Sequence, residues 1–434
     1  MSDAPDGRLT PYQRYVMLCA WVGIGFDLMD SVLFNFIAPL AIPNLLGLAP
    51  SSPLARAETA WWNGVLTSVM LLGWAVGGIA FGRVSDVIGR ARTVVLTMLV
   101  FSLGTGACAL APSVGALVFF RFVTALGIGG EWAAGATLVA EAVPESRRVE
   151  MGSKLFTAPP FFVFVAIAVN WLFTRRLDSI AADSSLSWRL VMGFGALPAL
   201  AAIAIRKGLR DPERVTPSKR GGGLAALFSP ALRRRTIGGL VVATTALITF
   251  WVVSAFLPIV ASQLAEGVTR DPAALRALKA LNITRAMGWF NFGGLIGALL
   301  AAPLAMRLGR RPMFALFFAW SVVSVALAFG LTLDPSVRLA AFGVAGLSVY
   351  GVFGAFQFYL PELFPSHLRG TGAGFCLNAG RVITVAGPFA VGAIVRSGID
   401  PLVVLRNVAM VPAVGLALVL LGAAVETRGE TLST

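Results

Sequence analysis

The sequence predicts an all-α membrane protein with twelve transmembrane helices in two pseudo-symmetric six-helix halves. Three observations carry this. Charged residues are only 13% of the 434-residue chain, against about 25% in a soluble domain, and the mean hydropathy is +0.81. The apolar residues fall in runs of about 20, enough for a helix to cross the hydrocarbon layer. The turns of the first half recur in the second at a nearly constant offset. The runs are continuous rather than alternating, which excludes a barrel. Spans that cannot draw on water for hydrogen bonds are therefore helical.

The first run, 15–39, follows the short polar stretch "MSDAPDGRLTPYQR". That stretch lacks the basic n-region and cleavage site of a signal peptide, so the run is expected to act as its own insertion signal. Runs 62–82 and 93–111 flank the polar turn "GRVSDVIGRAR". Run 115–140 contains Arg121 and Glu131, run 155–174 opens near "APP", and run 189–206 leads into a basic stretch. That stretch, 206–235, holds nine Lys and Arg, a glycine run and prolines. It reads as a cytoplasmic linker between an N-terminal half, 1–205, and a C-terminal half, 236–434. The second half supplies runs 236–262, 284–306, 313–333, 338–361, 371–395 and 403–424. "GWAVG" at 73–77 aligns with "GGLIG" at 293–297, and "IGRAR" at 88–92 with "LGRRP" at 308–312. "EAVPESRR" at 141–148 aligns with "ELFPSHLR" at 362–369, so E-x-x-P-x-x-x-R occurs twice. Matches in order at one offset indicate a duplicated six-span unit.

With the N-terminus inside, the inside segments carry 22 of the 35 Lys and Arg and the outside segments, counted with the ends of the runs that border them, 11. This bias places both termini in the cytoplasm. The net charge of +14 then reflects basic loops facing anionic lipid rather than nucleic acid. Cys19, Cys108 and Cys376 are far apart in apolar runs, with no metal-site or disulfide spacing. "GIGG" at 127–130 follows no strand, so small residues that let helices approach explain it better than a nucleotide loop. No nucleophile–base pair or metal cluster points to an enzyme.

Twelve spans in two halves, a basic middle loop and "GRVSDVIGRAR" resemble the major facilitator superfamily, whose signature at this turn is G-x-x-x-D-x-x-G-R-[KR]. The resemblance covers the whole chain. Within that superfamily, "RFVTALGIGGEWAAGATLVAEAVPESRR" and "PELFPSHLRGTGAGF" look like the metabolite:proton symporters. Asp27-x-x-Asp30 resembles the first-span D-x-x-D of the aromatic-acid group, and "GGEW" that of the sialic-acid group. The resemblance implies proton-coupled import of a small organic anion by alternating access. Its expected partners are that anion, protons and membrane lipid. No cofactor beyond the coupling proton is expected, and the site is a bacterial inner membrane, with the protein a monomer. Proton-driven efflux and uptake of a sugar-like solute are the alternatives. Exporters of this superfamily usually carry a glycine–proline motif in span five, which "LFTAPPFFVFVAIAV" lacks.

A carboxylate within hydrocarbon costs roughly 2.5–3.5 kcal/mol on insertion scales, so one retained there invites a functional reading. The only histidine, His367, lies in a polar turn. Proton carriers therefore reduce to Asp27, Asp30 and Glu131. Asp30 lies one turn beyond Asp27 on the same face, near the height of Arg121. The resemblance implies a first-span acid paired with a fourth-span arginine, and so Asp27 or Asp30 with Arg121. Glu131, about 15 Å inward of Arg121, is either a proton relay or a carboxylate bonded among packed glycines. Arg381 sits near the midplane of span eleven with no acidic partner obvious in its half. It suits a substrate carboxylate held in a bidentate fork, with Asn378 one turn away; a carbonyl or Asp27 or Asp30 is its other possible partner. Phe250, Trp251, Asn291, Tyr350, Phe353 and Gln357 lie at matching heights. At the cytoplasmic face, Gly82 is expected to allow close helix approach and Gly89 a tight turn. Asp86 is expected to accept from a helix N-terminus or an arginine, and Arg90 to reach Glu141 or Glu362. Glu141 with Arg148 and Glu362 with Arg369 complete a gate that the resemblance implies. Val87 and Ala91 stand where basic residues are common.

Overall fold

The structure, a computed structural model, describes residues 9–49, 52–142, 151, 154–155, 157–200, 208, 224–365 and 368–428. The side chains of residues 86, 90, 132–142 and 357 fall outside the described set. The expectations for Asp86, Arg90, Glu141, Arg148, Gln357 and His367 therefore lie outside it, as does most of 206–235.

The chain is all-helical. In order come α1 (Pro11–Leu45), α2 (Pro53–Ile88), α3 (Arg90–Ala109), α4 (Val114–Ala142), α5 (Ala158–Trp171) and α6 (Ser184–Phe194). The second half gives α7 (Arg233–Gln263), α8 (Pro272–Leu308), α9 (Arg310–Gly330) and α10 (Pro335–Glu362). It ends with α11 in two pieces, Arg369–Thr384 and Ala386–Arg396, and α12 in two, Pro401–Val408 and Met410–Leu420. Among the described residues, 11 helices are long and apolar enough to cross a membrane. The sixth expected span, 189–206, is described only to residue 200.

Several helices outrun their apolar runs because capping residues set their starts. Thr10 forms a reciprocal capping box with Gln13 ahead of Pro11. Ser52, Asp271, Asp334 and Asp400 each cap a helix whose next residue is proline. A side-chain acceptor satisfies a free N–H, and proline at the first position has none to waste. The second and eighth helices both end on glycine in a left-handed conformation, with φ of 98° at Gly89 and 101° at Gly309. These are the two "GR" turns of the repeat.

The repeated glycines explain how each half packs. A Cβ at Gly77 would overlap the Leu126 carbonyl, joining α2 to α4; one at Gly297 would overlap that of Leu347, joining α8 to α10. Each contact has its counterpart 220–221 residues along, so the G-x-x-x-G pairs bring backbone against backbone as small-residue interfaces do. Gly82 makes no such approach: a Cβ there would meet nothing within 4 Å. Its expected close helix contact is absent in this arrangement.

Among the described residues, the halves are joined by hydrogen bonds and ion pairs toward the end of the bundle opposite the N-terminus. There a Cβ at Gly64 would overlap the Pro388 carbonyl. The Asn63 amide donates to Ala255 O at 2.8 Å and the Ser68 hydroxyl to Val385 O at 2.7 Å. Arg396 pairs with Glu58 at 2.7 Å, and Arg56 with Glu266 at 2.9 Å. Among the described residues, these are the ion pairs that cross between halves, and both lie at this far end.

Candidate functional site

One turn of α1 places Asp27 and Asp30 in the middle of the first half, both fully buried. Their surroundings differ sharply. Arg121 on α4 gives Nη1 to Asp30 Oδ2 at 2.9 Å, and the Thr105 hydroxyl on α3 donates to Oδ1. The same guanidinium donates Nη2 to Met70 Sδ at 3.1 Å and stands over the Phe34 ring. The pair is 2% and 0% exposed. Heights left two partners open for Arg121; the structure selects Asp30.

Asp27 has no such support. Apart from the neighbouring Glu131 carboxyl, neither of its oxygens has a hydrogen-bond partner. Its charged surroundings are Glu131, Asp30 and, from the other half, Arg381. Glu131 comes from α4, 3% exposed, with one oxygen against Gly23 and the other, Oε2, without a partner. Gly23 lies one turn before Asp27, and a side chain there would collide with the Glu131 carboxyl. Two carboxyl groups are thus sealed together in the protein interior.

Arg381, on the first piece of α11, projects to the boundary between halves. It is 6% exposed, donates to Asn378 Oδ1 at 2.8 Å and stacks 4.4 Å over the Trp74 ring of α2. It forms one wall of a chamber of ≈ 630 Å3 of atom-free space, counting its open mouth. Most of the rest is aromatic: Trp74, Phe250, Trp251, Tyr350, Phe353 and Phe356. Phe250 stands edge-on to Tyr350 at 4.9 Å and Trp74 edge-on to Trp251 at 5.8 Å. The indole N–H of Trp74 and the hydroxyl of Tyr350 are buried without partners. Ile24 and Leu28, on either side of Asp27 in sequence, complete the near wall.

Of the wall residues expected from height, Phe250, Trp251, Tyr350 and Phe353 line the chamber. Asn378 acts through Arg381. Asn291 is off the wall: it is 2% exposed and its amide donates to Met287 O on its own helix at 2.8 Å. Sequence reasoning missed Trp74 and Thr105. Trp74 lies inside "GWAVG", whose glycines fix its helix against α4, and that was a usable signal.

At the termini end, Glu362 takes Arg310, with Nη2 to Oε1 at 2.8 Å and Thr427 donating to Oε2 at 2.6 Å. Arg310 is the second-half counterpart of Arg90, so the charge stays within its half. Arg369, half-buried, has no partner for Nε.

Comparison with known proteins adds the following. Residues 20–284 match the family model described as Major Facilitator Superfamily, and residues 238–371 that described as Sugar (and other) transporter. A Haemophilus influenzae protein named a metabolite transport protein is 27% identical, covering 89% of this chain and 90% of its own. The gallate transporter of Pseudomonas putida is 24% identical, with 97% and 94% covered. The sialic acid transporter NanX of Escherichia coli is 23% identical, with 89% of each chain covered. Among solved structures, a D-xylose-proton symporter superposes with a TM-score of 0.74 at 18% identity, covering 97% of this chain and 100% of that one. A bacterial homologue of the lysosomal transporter Spinster, inward-facing and occupied, gives 0.68 at 18% identity over 95% and 97%.

Proposed function

Because this chain belongs to the Major Facilitator Superfamily and is a multi-pass membrane transporter of metabolites rather than an enzyme, we propose that it imports a small organic anion together with protons. The solute that fits best is a flat, largely apolar carboxylic acid. Arg381 offers a fixed bidentate donor to its carboxylate. The aromatic rings cover its body, and the idle Trp74 N–H and Tyr350 hydroxyl can meet one or two polar substituents. A polyhydroxylated solute would find few partners on this wall, which counts against the sugar-like alternative.

The observation that carries the reading is the place of Arg381: it lines the chamber between halves and its charge acts on Asp27 of the first half, which is buried behind that wall beside Glu131. Two adjacent carboxyl groups away from water favour holding a proton between them, because two negative charges so close repel. Arg381 reaches both the solute and the field of Asp27. Solute arrival therefore changes what Asp27 faces, and this links the proton to the cargo. On the expected orientation, with both termini in the cytoplasm, the contacts at the far end support reading this as the inward-facing arrangement. Alternation would part the far-end contacts and bring the termini end together, each ligand biasing the state it binds better.

The test is binding by the purified protein. A thermal-shift screen against carboxylic acids and their amides should find acids that stabilise it, and Arg381→Ala should weaken those acids but not their neutral amides. Equal loss for both would leave Arg381 as a packing residue and remove the anion reading.

A further inference from the structure

A second cavity lies at the far end, between the same two halves. It holds ≈ 1740 Å3 of atom-free space with its mouth, and it shares no lining residue with the central chamber. Its charged lining is unbalanced, with Arg56, Arg276 and Lys279 against Glu266. The single carboxylate is divided: Oε2 takes Arg56 at 2.9 Å and Oε1 takes Lys279 at 3.1 Å. Arg276 spends its donors on two carbonyls, Ala182 at 3.0 Å and Pro272 at 3.3 Å. Asn170 also lines the cavity, 2% exposed, with Oδ1 unpartnered.

We propose that this vestibule is a second anion site, where an organic carboxylate binds Arg276, Lys279 and Arg56 in exchange for Glu266. The proposal rests on the reading of the transported solute as a carboxylate. Three cations around one carboxylate give a field that draws anions from the far side. The same cations hold the gate, since Arg56 belongs to the first half and Glu266 to the second. Opening the far end must part them. An incoming carboxylate replaces the lost partner in kind, so the cations are not left unpaired, and it binds the parted arrangement better than the closed one. The vestibule thus collects the solute and lowers the cost of admitting it.

The experiment uses the full-length protein with benzoate and its neutral amide, benzamide. Acetylation of Lys279 by an amine-reactive ester is followed by mass spectrometry. Benzoate should slow modification and benzamide should not. The protection should persist in Arg381→Ala, whose central site is disabled, and weaken in Arg276→Gln. In Glu266→Gln the half-protecting benzoate concentration should fall about tenfold, since one charge-assisted interaction no longer competes. Equal effects of benzoate and benzamide, including none by either, would overturn the proposal. So would protection that vanishes in Arg381→Ala, because the signal would then come from the central chamber. If Arg381→Ala weakens acids and their amides equally while Lys279 protection holds, the central-site reading fails and the vestibule stands.

Discussion

Asp27 and Asp30 stand one helical turn apart on the same helix, equally buried, and differ in everything else. Asp30 is surrounded: Arg121 and Thr105 satisfy it, and Gly195 leaves room beside Oδ1. Asp27 has no hydrogen-bond partner other than the second carboxyl group beside it, Glu131. The contrast teaches that burial alone does not assign a role to an acid in a membrane. A carboxylate whose donors come from two neighbouring helices holds those helices to its own. One without donors is free to change partners between states. Under the proposed function, the proton would be carried by Asp27 and Asp30 would be architectural.

The strongest way to break this comparison is to remove the support on one side. Arg121→Ala leaves Asp30 charged and alone, and losing one partner of a buried pair costs about 3–5 kcal/mol. The purified variant should melt far below the parent, and adding Asp30→Leu should recover much of the loss. A variant that melts like the parent would show that the pair holds nothing. Next in size is Asp27→Asn, which should abolish pH-driven accumulation in proteoliposomes, keep solute exchange and leave the melting temperature unchanged. Asp30→Asn should do the reverse, lowering stability first. If both lose accumulation alike at equal stability, the division of roles is wrong.

A milder change tests whether Glu131 belongs with Asp27. Gly23→Ala places a methyl group where the Glu131 carboxyl sits, so that side chain must swing away from Asp27. Accumulation should fall several-fold while acid binding at Arg381 stays intact. Unaltered accumulation would detach Glu131 from the proton site.

How much of this was legible follows from what a membrane does to a sequence. Hydropathy located the spans because the solvent demands it over each helix's whole length. It gave no rotation about the axis, since a helix in lipid is apolar all round and has no amphipathic stripe to read. That is why height placed Asn291 on the wall while the structure turns it to its own backbone, and why Arg121 could be matched in height but not assigned to one aspartate. The helix starts were legible and were passed over. Ser52-Pro53, Asp271-Pro272 and Asp334-Pro335 are capping signals, yet the apolar runs begin several residues later. The repeated glycines read correctly as a duplication, and only packing revealed that they press α2 on α4 and α8 on α10.

The smallest effect concerns a carboxylate supported like Asp30 but outside the spans. Glu426 closes the termini end of the second half, accepting the backbone N–H of Arg310 at 2.9 Å, Arg311 at 3.0 Å and Arg428 at 3.0 Å. Partial burial raises its pKa, but these three donors outweigh burial, and the net shift is downward. A depressed folded value means that the stabilisation is complete above the unfolded carboxylate pKa of about 4.3 and fades as the pH falls below it. Protection from hydrogen exchange at the start of α9, taken relative to the intrinsic rate at each pH, should therefore fall as the medium is acidified through that range and stay flat above it. Glu426→Gln should be less protected above that range and lose the acid step. The contrast with Asp30 is one of solvent: the same kind of support, placed near water, should tune only a local opening, whereas inside the membrane it decides whether four helices stay together.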